Sequence, residues 1–280
     1  MFRLFVLLLL SVLSVSSWAK SPFVVSIHPL YLIAKEITKG VEEPQLLLEN
    51  QTGHDVSLTP AHRKMIQGAS LVIWLGKEHE APLAKVLNQH QQAISILASG
   101  IVQTLPQRNT QGAALTGTID THVWLDPNNA VRMGFFIAAL RSQQYPEHKA
   151  QYWKNAQSFA QQMLQAAQGY AQNKISRPYW SYHDAYQYLE RPLNLKFAGA
   201  MTDDPHIAPT LGQIKYLKTS RPYQSMCLLA EGHANKSQYQ KLDPIVFQAV
   251  DESMGAQQNF IVAWKLLAQQ SYRCVLNARK

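Results

Sequence analysis

The stretch LVIWLGKEHEAPLAKVLNQHQQAISIL, residues 71–97, decides the fold class. Leu71–Leu75 is a short, unbroken apolar run, the signature of a strand buried on both faces. A helical pattern from about Ala81 to Gln89 follows, and Ala93–Leu97 repeats the apolar run. Strand, helix, strand in this order specifies a parallel sheet with helices on its faces, because parallel strands need a crossover between them.

The same alternation extends outward. Phe23–Ile27 reads as a strand, Tyr31–Lys39 as a helix and Gln45–Leu48 as the next strand, followed by a polar turn through Asn50–Gly53. Pro60–Gly68 carries Pro just inside its start and Gly at its end, which suits a short helix. Gln103–Asp120 is polar, Gly/Thr-rich and aperiodic, and reads as a surface loop. His122–Leu125 reads as a short strand ending near Pro127. From Pro146 to Lys174, Tyr152, Ala156, Phe159, Met163, Ala167 and Tyr170 recur at spacings of three and four. That is one long helix, which at 1.5 Å per residue spans roughly 40 Å. The alternation then resumes: strands over Tyr179–Tyr182, Leu195–Ala200 and Met226–Ala230, with helices over Ala185–Leu189, Pro209–Lys218 and Gly255–Tyr272. The expected architecture is α/β, with two lobes that each hold a parallel sheet flanked by helices. Residues 20–145 form the first lobe, 146–174 the connecting helix and 175–280 the second lobe. Such lobes leave a cleft between them, and open parallel sheets bind ligands at their strands' carboxyl ends.

Residues 1–19 read as a signal peptide. Arg3 supplies the positive start, Leu4–Val15 the apolar core and Ser17-Trp18-Ala19 a small-x-small cleavage site. The apolar run is shorter than the ~20 residues of a spanning helix, so an uncleaved anchor is the weaker alternative. Cleavage removes only Arg3 among the charged residues, leaving 25 basic against 18 acidic side chains, a net +7. The Lys and Arg residues are scattered rather than clustered, which argues against nucleic-acid binding despite the basic balance. In an oxidising compartment the two cysteines, Cys227 and Cys274, are expected to pair, with buried free thiols as the alternative.

Three of the ten histidines stand out: His54 in GHDVSLTP, His122 in THVWLDP and His183 in YHDAYQYLE. Each falls near the end of an expected strand or in the loop after it, so the fold would gather them at the cleft. Neutral imidazole is a common ligand for zinc, a borderline-soft cation. His28 precedes Pro29 at a strand end and could approach the cleft. His206 and His233 fall in polar loops near its rim, while His62, His79, His90 and His148 read as solvated. Asp126 and Asp184 precede helical patterns and suit capping, while Asp55 could orient a ligand.

These motifs, in this order, resemble the periplasmic zinc-binding components of ABC-type metal importers, the ZnuA-like cluster A-I substrate-binding proteins. The resemblance runs from about Val24 to Cys274 and includes SLVIWLG, CLLAE and LDP at Leu242–Pro244. It implies two α/β lobes joined by a rigid helix and one Zn(II) in the cleft. It implies ligands His54 and His122 from the first lobe, His183 from the second, and a disulfide between Cys227 and Cys274. It further implies a monomer that captures zinc in the periplasm and passes it to a membrane permease, with no catalysis. For the fourth ligand, Asp243 of the LDP motif and water both stay open, since Gly53 stands where zinc relatives often have Glu. Ile101–Thr121 has no histidine and one acid, Asp120, so the His-rich loop that many zinc relatives carry before the second ligand is missing. The alternatives are a manganese- or iron-binding relative, a zinc hydrolase built on three histidines, and an adhesive surface protein in which metal is minor. Neither HExxH nor GxSxG occurs to support the hydrolase.

Overall fold

The computed structural model describes residues 22–49, 56–171, 176–231, 234 and 236–278. Residues 1–19, read as a signal peptide, lie outside them, as does His54. Among the described residues no helix is long and apolar enough to cross a membrane.

The first lobe is built from β1 (Phe23–Val25), α1 (His28–Thr38), β2 (Gln45–Leu46), α2 (Pro60–Gly68), β3 (Leu71–Trp74), α3 (Ala81–Leu87) and β4 (Ala93–Ser95). Its strands form one parallel sheet in the order β2-β1-β3-β4. Every residue of β1 and β3 is buried, as an unbroken apolar run demands of a central parallel strand. Two helices follow, α4 (Pro127–Gln144) and α5 (Lys149–Ala171). The second lobe comprises β5 (Arg177–Ser181), α6 (Gln187–Leu193), β6 (Leu195–Ala200), α7 (Leu211–Thr219), β7 (Met226–Ala230), α8 (Lys236–Tyr239), β8 (Ile245–Ala249) and α9 (Phe260–Asn277). Its parallel sheet has the order β6-β5-β7-β8, the same winding as the first.

The long helix α5 packs on α1 and α4 of the first lobe and on α6 and α9 of the second. Its buried face is the one the sequence pattern marked: Tyr152, Ala156, Phe159 and Met163 are out of solvent. The expected start at Pro146 is a short 3-10 turn, Pro146–His148, before the α-helix begins at Lys149. One apolar core runs from the first sheet through these helices to Cys227 and Leu229 of β7 and to α9, and a smaller cluster backs the second sheet. Arg141 of α4 is fully buried and is neutralised by Glu42, with Tyr152 donating to the same carboxylate at 2.7 Å.

One expectation is corrected. His122–Leu125 is not a strand: Val123–Leu125 is a 3-10 turn. Its groups are bound outside any sheet, the His122 N–H by Asp120 and the Leu125 carbonyl by the Trp264 indole. The helical pattern expected after Asp126 is the eighteen-residue α4, which Asp126 caps and Pro127 opens. Gln103–Asp120 is the surface loop expected, and it is folded back on itself as an arm, with antiparallel bridges at Leu105–Asp120 and Arg108–Ala114.

That arm reaches across to the second lobe. Arg108 grips Asp184 through two hydrogen bonds of 2.8 and 2.7 Å, pairs with Glu190 at 2.7 Å and stacks 4.1 Å over the Phe197 ring. Asp184 is thus an ion-pair partner rather than the expected helix cap. The Thr110 carbonyl accepts from the Ala200 N–H at 2.9 Å. A glycine is required opposite it: Gly199 has φ +133°, and a Cβ there would come within 2.5 Å of Leu217 and 3.2 Å of the Thr110 carbonyl. The Tyr188 hydroxyl donates to the Asp120 carbonyl and accepts from the Leu105 N–H, closing the base of the arm.

Cys227 of β7 and Cys274 of α9 form a disulfide across 47 residues of chain. A loop of that length, closed in the unfolded state, is worth about 4 kcal/mol in the chain-entropy picture. Replacing both cysteines by serine is therefore expected to lower unfolding stability by 2 kcal/mol or more, about half the ideal value or above. Denaturant titration of oxidised wild type against the double variant measures it, and equal midpoints would contradict it.

Candidate metal centre

The cleft lies where the carboxyl ends of both sheets meet. Four side chains arrive there from four separate strand ends or turns. His122 comes from the turn before α4, His183 follows β5, Glu231 follows β7 and Glu252 follows β8. The rings of His122 and His183 face each other from the two lobes, with centroids 5.6 Å apart. Two imidazoles on one tetrahedral zinc place their centroids about 5 Å apart, so this spacing suits a shared ion. His183, Glu231 and Glu252 each bring a ligand atom within 4.8 Å of the others.

Each imidazole meets a carboxylate at Nδ1, His122 by a hydrogen bond and His183 by an ion-pair contact. His122 Nδ1 lies 2.8 Å from Asp120 Oδ1, which also accepts from the His122 backbone N–H at 3.0 Å. His183 Nδ1 lies 2.6 Å from Glu231 Oε1. A carboxylate on Nδ1 fixes the ring's orientation, raises its basicity and directs Nε2 to the metal. All four partners in these two pairs are buried. Burial opposes a charge on His183, but the hydrogen bond and negative charge of Glu231, reinforced by Glu252 and Asp184, outweigh it and raise its pKa. Burial, with repulsion from Glu231, pushes Glu252 up to about 7. Two crowded carboxylates out of water are a strained arrangement that a divalent cation relieves.

The frame around these groups joins the lobes. The Trp124 indole donates to the Glu252 carbonyl at 2.8 Å, and the Tyr186 hydroxyl to the Val250 carbonyl at 3.0 Å. A cavity of about 880 Å³ opens beside the cluster, lined by His28, His79, His122, Trp124 and Glu252 among others. His28 reaches the cleft, as its place at a strand end suggested.

Of the expected ligands, His122 and His183 come together. His54, and Asp55 beside it, lie outside the described residues. Asp243 does not join them. It is exposed and precedes β8, whereas the cluster sits past the other end of that strand. Five residues of strand separate the two ends by about 16 Å. Glu252, on the correct side of β8, stands where a fourth ligand was sought. The LDP match drew attention to the wrong end because β8 itself went unread. Glu231 could have been found by the rule that grouped the histidines, since it directly follows the strand Met226–Ala230. Asp120 was noted only as the lone acid of its segment, and its role depends on the turn that folds it onto His122.

A buried carboxylate also shapes the first-lobe rim. Glu80 accepts from the Leu75 and Gly76 N–H groups at 2.7 and 3.3 Å, pinning the turn after β3. Burial raises its pKa to about 7, against the pull of Ser26 and these backbone donors. With the folded pKa above the ordinary glutamate value of 4.5, the folded state binds the extra proton between about pH 4.5 and 7. Stability therefore falls as pH rises through that window and levels off above it. Glu80→Gln is expected to flatten this slope, and thermal unfolding of both proteins from pH 5 to 8 tests it. Parallel profiles would refute it.

Two parallel α/β lobes, with a buried cluster of imidazoles and carboxylates between them at the strand carboxyl ends, define the class: a two-lobed, cleft-type substrate-binding protein. The chain belongs to the family described as zinc-uptake complex component A, periplasmic (ZnuA), whose model matches residues 23–255. It is 28% identical over 251 residues to the high-affinity zinc uptake system protein ZnuA of Haemophilus ducreyi, covering 80% of this chain and 81% of that one. It is 26% identical over 237 residues to the ZnuA protein of Brucella abortus, covering 69% of this chain and 71% of that one. Among solved structures, the laminin-binding adhesin Lmb of Streptococcus agalactiae matches with a TM-score of 0.76 at 19% identity, covering 91% of this chain and 99% of that one. The Zn(II)-bound ZnuA-like domain of Streptococcus pneumoniae AdcA matches with a TM-score of 0.70 at 20% identity, covering 92% and 99%. At these identities the two structures speak for the fold alone.

Proposed function

We propose that this chain is the periplasmic receptor of a zinc importer: it captures one Zn(II) in the cleft and hands it to an ABC-type permease. The observation that carries the reading is the pair His122 and His183, one from each lobe with ring centroids 5.6 Å apart, each with a carboxylate at Nδ1, His183 grouped with Glu231 and Glu252 and His122 sharing a cavity wall with Glu252. In this reading residues 20–145 and 175–280 act as two jaws joined by 146–174. His54 and His122 are ligands from the first jaw, with His183 and Glu252 from the second. Glu231 and Asp120 orient the rings. An imidazole-rich set favours zinc over manganese, which prefers oxygen donors.

The chain acts as a carrier rather than a hydrolase. Glu231 and Asp120 are committed to orienting imidazoles, which takes from a catalytic reading the bases it would need. It works as an exported monomer, without nucleic acid.

The test is metal content by mass spectrometry of the mature protein purified without a His tag. One zinc per chain is expected in wild type, and none in a variant combining His122→Ala and His183→Ala. Manganese or iron in the wild type, or no metal after zinc reconstitution, would sink the proposal. Protons compete with zinc for imidazole nitrogen, so affinity measured against a chelator is expected to fall as pH drops from 8 to 5. Affinity independent of pH over that range would exclude imidazole ligands.

A further inference from the structure

His79 is buried, with 7% of its surface exposed, although its polar sequence surroundings suggested a solvated side chain. Its position is fixed from below. The turn after β3 opens at Gly76, whose carbonyl accepts from the N–H groups of both His79 and Glu80. The Glu80 carboxylate then folds back onto the N–H groups of Leu75 and Gly76. Gly76 has φ +148°, and a Cβ there would come within 2.9 Å of the Ser95 hydroxyl, so the turn has little freedom to shift. The result is an imidazole on the wall of the cavity that His122, Trp124 and Glu252 also line.

Three observations set this ring beside the metal cluster. Its centroid lies 6.1 Å from that of His122, within about 1 Å of the separation of two imidazoles on one tetrahedral zinc. Trp124 packs edge-on against it at 5.5 Å, as it packs at 5.4 Å on His122, so one indole braces both rings. Most informative is the hydrogen bond of 2.8 Å between His79 Nδ1 and the hydroxyl of Thr121, the residue before His122. His122 is likewise fixed at Nδ1 by a neighbouring oxygen, that of Asp120. When His79 Nδ1 donates its proton to the Thr121 hydroxyl, Nε2 is the nitrogen left to bind a cation.

We infer that His79 is a zinc-ligating imidazole of this cleft, taking a tetrahedral position in exchange with Glu252, which lines the same cavity. The inference rests on the zinc-receptor reading and extends it with a residue outside the expected ligand set. It also gives the cleft a histidine at its wall in a chain whose segment 101–121 has none. Thr121 is a positioning residue for it, and removing its hydroxyl frees the ring to rotate.

The experiment compares wild type, His79→Ala, His79→Gln and Thr121→Val. Zinc affinity is read by chelator competition, and the coordination sphere by the visible spectrum of the Co(II)-substituted proteins. Both His79 variants are expected to lose on the order of 10-fold or more in affinity and to change the Co(II) spectrum. Thr121→Val is expected to lose less, in the same direction. Wild-type binding with unchanged affinity and spectrum in the His79 variants would overturn the inference and leave the receptor reading standing. Absence of zinc binding by wild type would remove both. Should the variants fold poorly, wild type loaded with NMR-active cadmium decides: scalar coupling between the metal and a His79 ring nitrogen supports the inference, and its absence overturns it.

Discussion

The cleft depends on a buried carboxylate set against Nδ1 of an imidazole, by a hydrogen bond at Asp120–His122 and by an ion-pair contact at Glu231–His183. An unrestrained histidine ring can present either nitrogen in either protonation state. The carboxylate removes that choice by accepting one N–H and leaving the other nitrogen as the ligand atom. Burial strengthens the grip, because a charge-assisted hydrogen bond away from water is worth more than one at the surface. The cost is two negative charges beneath the cleft floor, with Glu252 as a third close by. In the second lobe the cluster is therefore unfavourable unless protons or a cation balance it, which is a suitable state for a receptor at rest.

The grip works only if the lobes hold their relative positions, since the two rings come from different sheets. The long helix α5 and the shared core do part of this. The arm from Gln103 to Asp120 does the rest: its tip is tied to the second lobe through Arg108 and Thr110, and its end is the residue that orients His122. The ion pair of Arg108 with Asp184 is partly buried and bidentate, the geometry in which such pairs count. Asp184 adjoins His183. The same arm thus leads from the neighbour of one imidazole to the carboxylate on the other.

Much of this was legible in the residues. Alternating apolar runs and helical patterns identified both lobes, because a central parallel strand must be apolar throughout and its crossover must be amphipathic. The periodicity of α5 survives in its buried face. The histidines at the cleft could be grouped because parallel sheets place their functional residues at one end. What stayed hidden had physical causes. β8 opens with the short apolar run Ile245–Phe247, which follows the LDP motif directly and is broken by Gln248, so it was not separated from the loop before it. Without β8, Glu252 has no strand end to follow, and Asp243 took its place. His79 sits in a polar stretch and is buried by tertiary contacts that no local pattern encodes. Polar composition marked the arm as a loop, but nothing local shows that Arg108 and Thr110 near its tip are tied to the second lobe.

The order in which the cluster is assembled along the chain carries a consequence for biogenesis. Its members stand at residues 122, 183, 231 and 252, so the set is complete only once the chain has been made past β8. No chain that stops short of Glu252 can own the complete set. In the receptor reading, the cargo therefore recognises finished molecules only. By mass action it adds to the stability of the folded form by an amount that grows with free zinc, and it gives nothing to fragments. Supply of the ion then doubles as a quality signal, protecting complete receptors from turnover when there is cargo to carry.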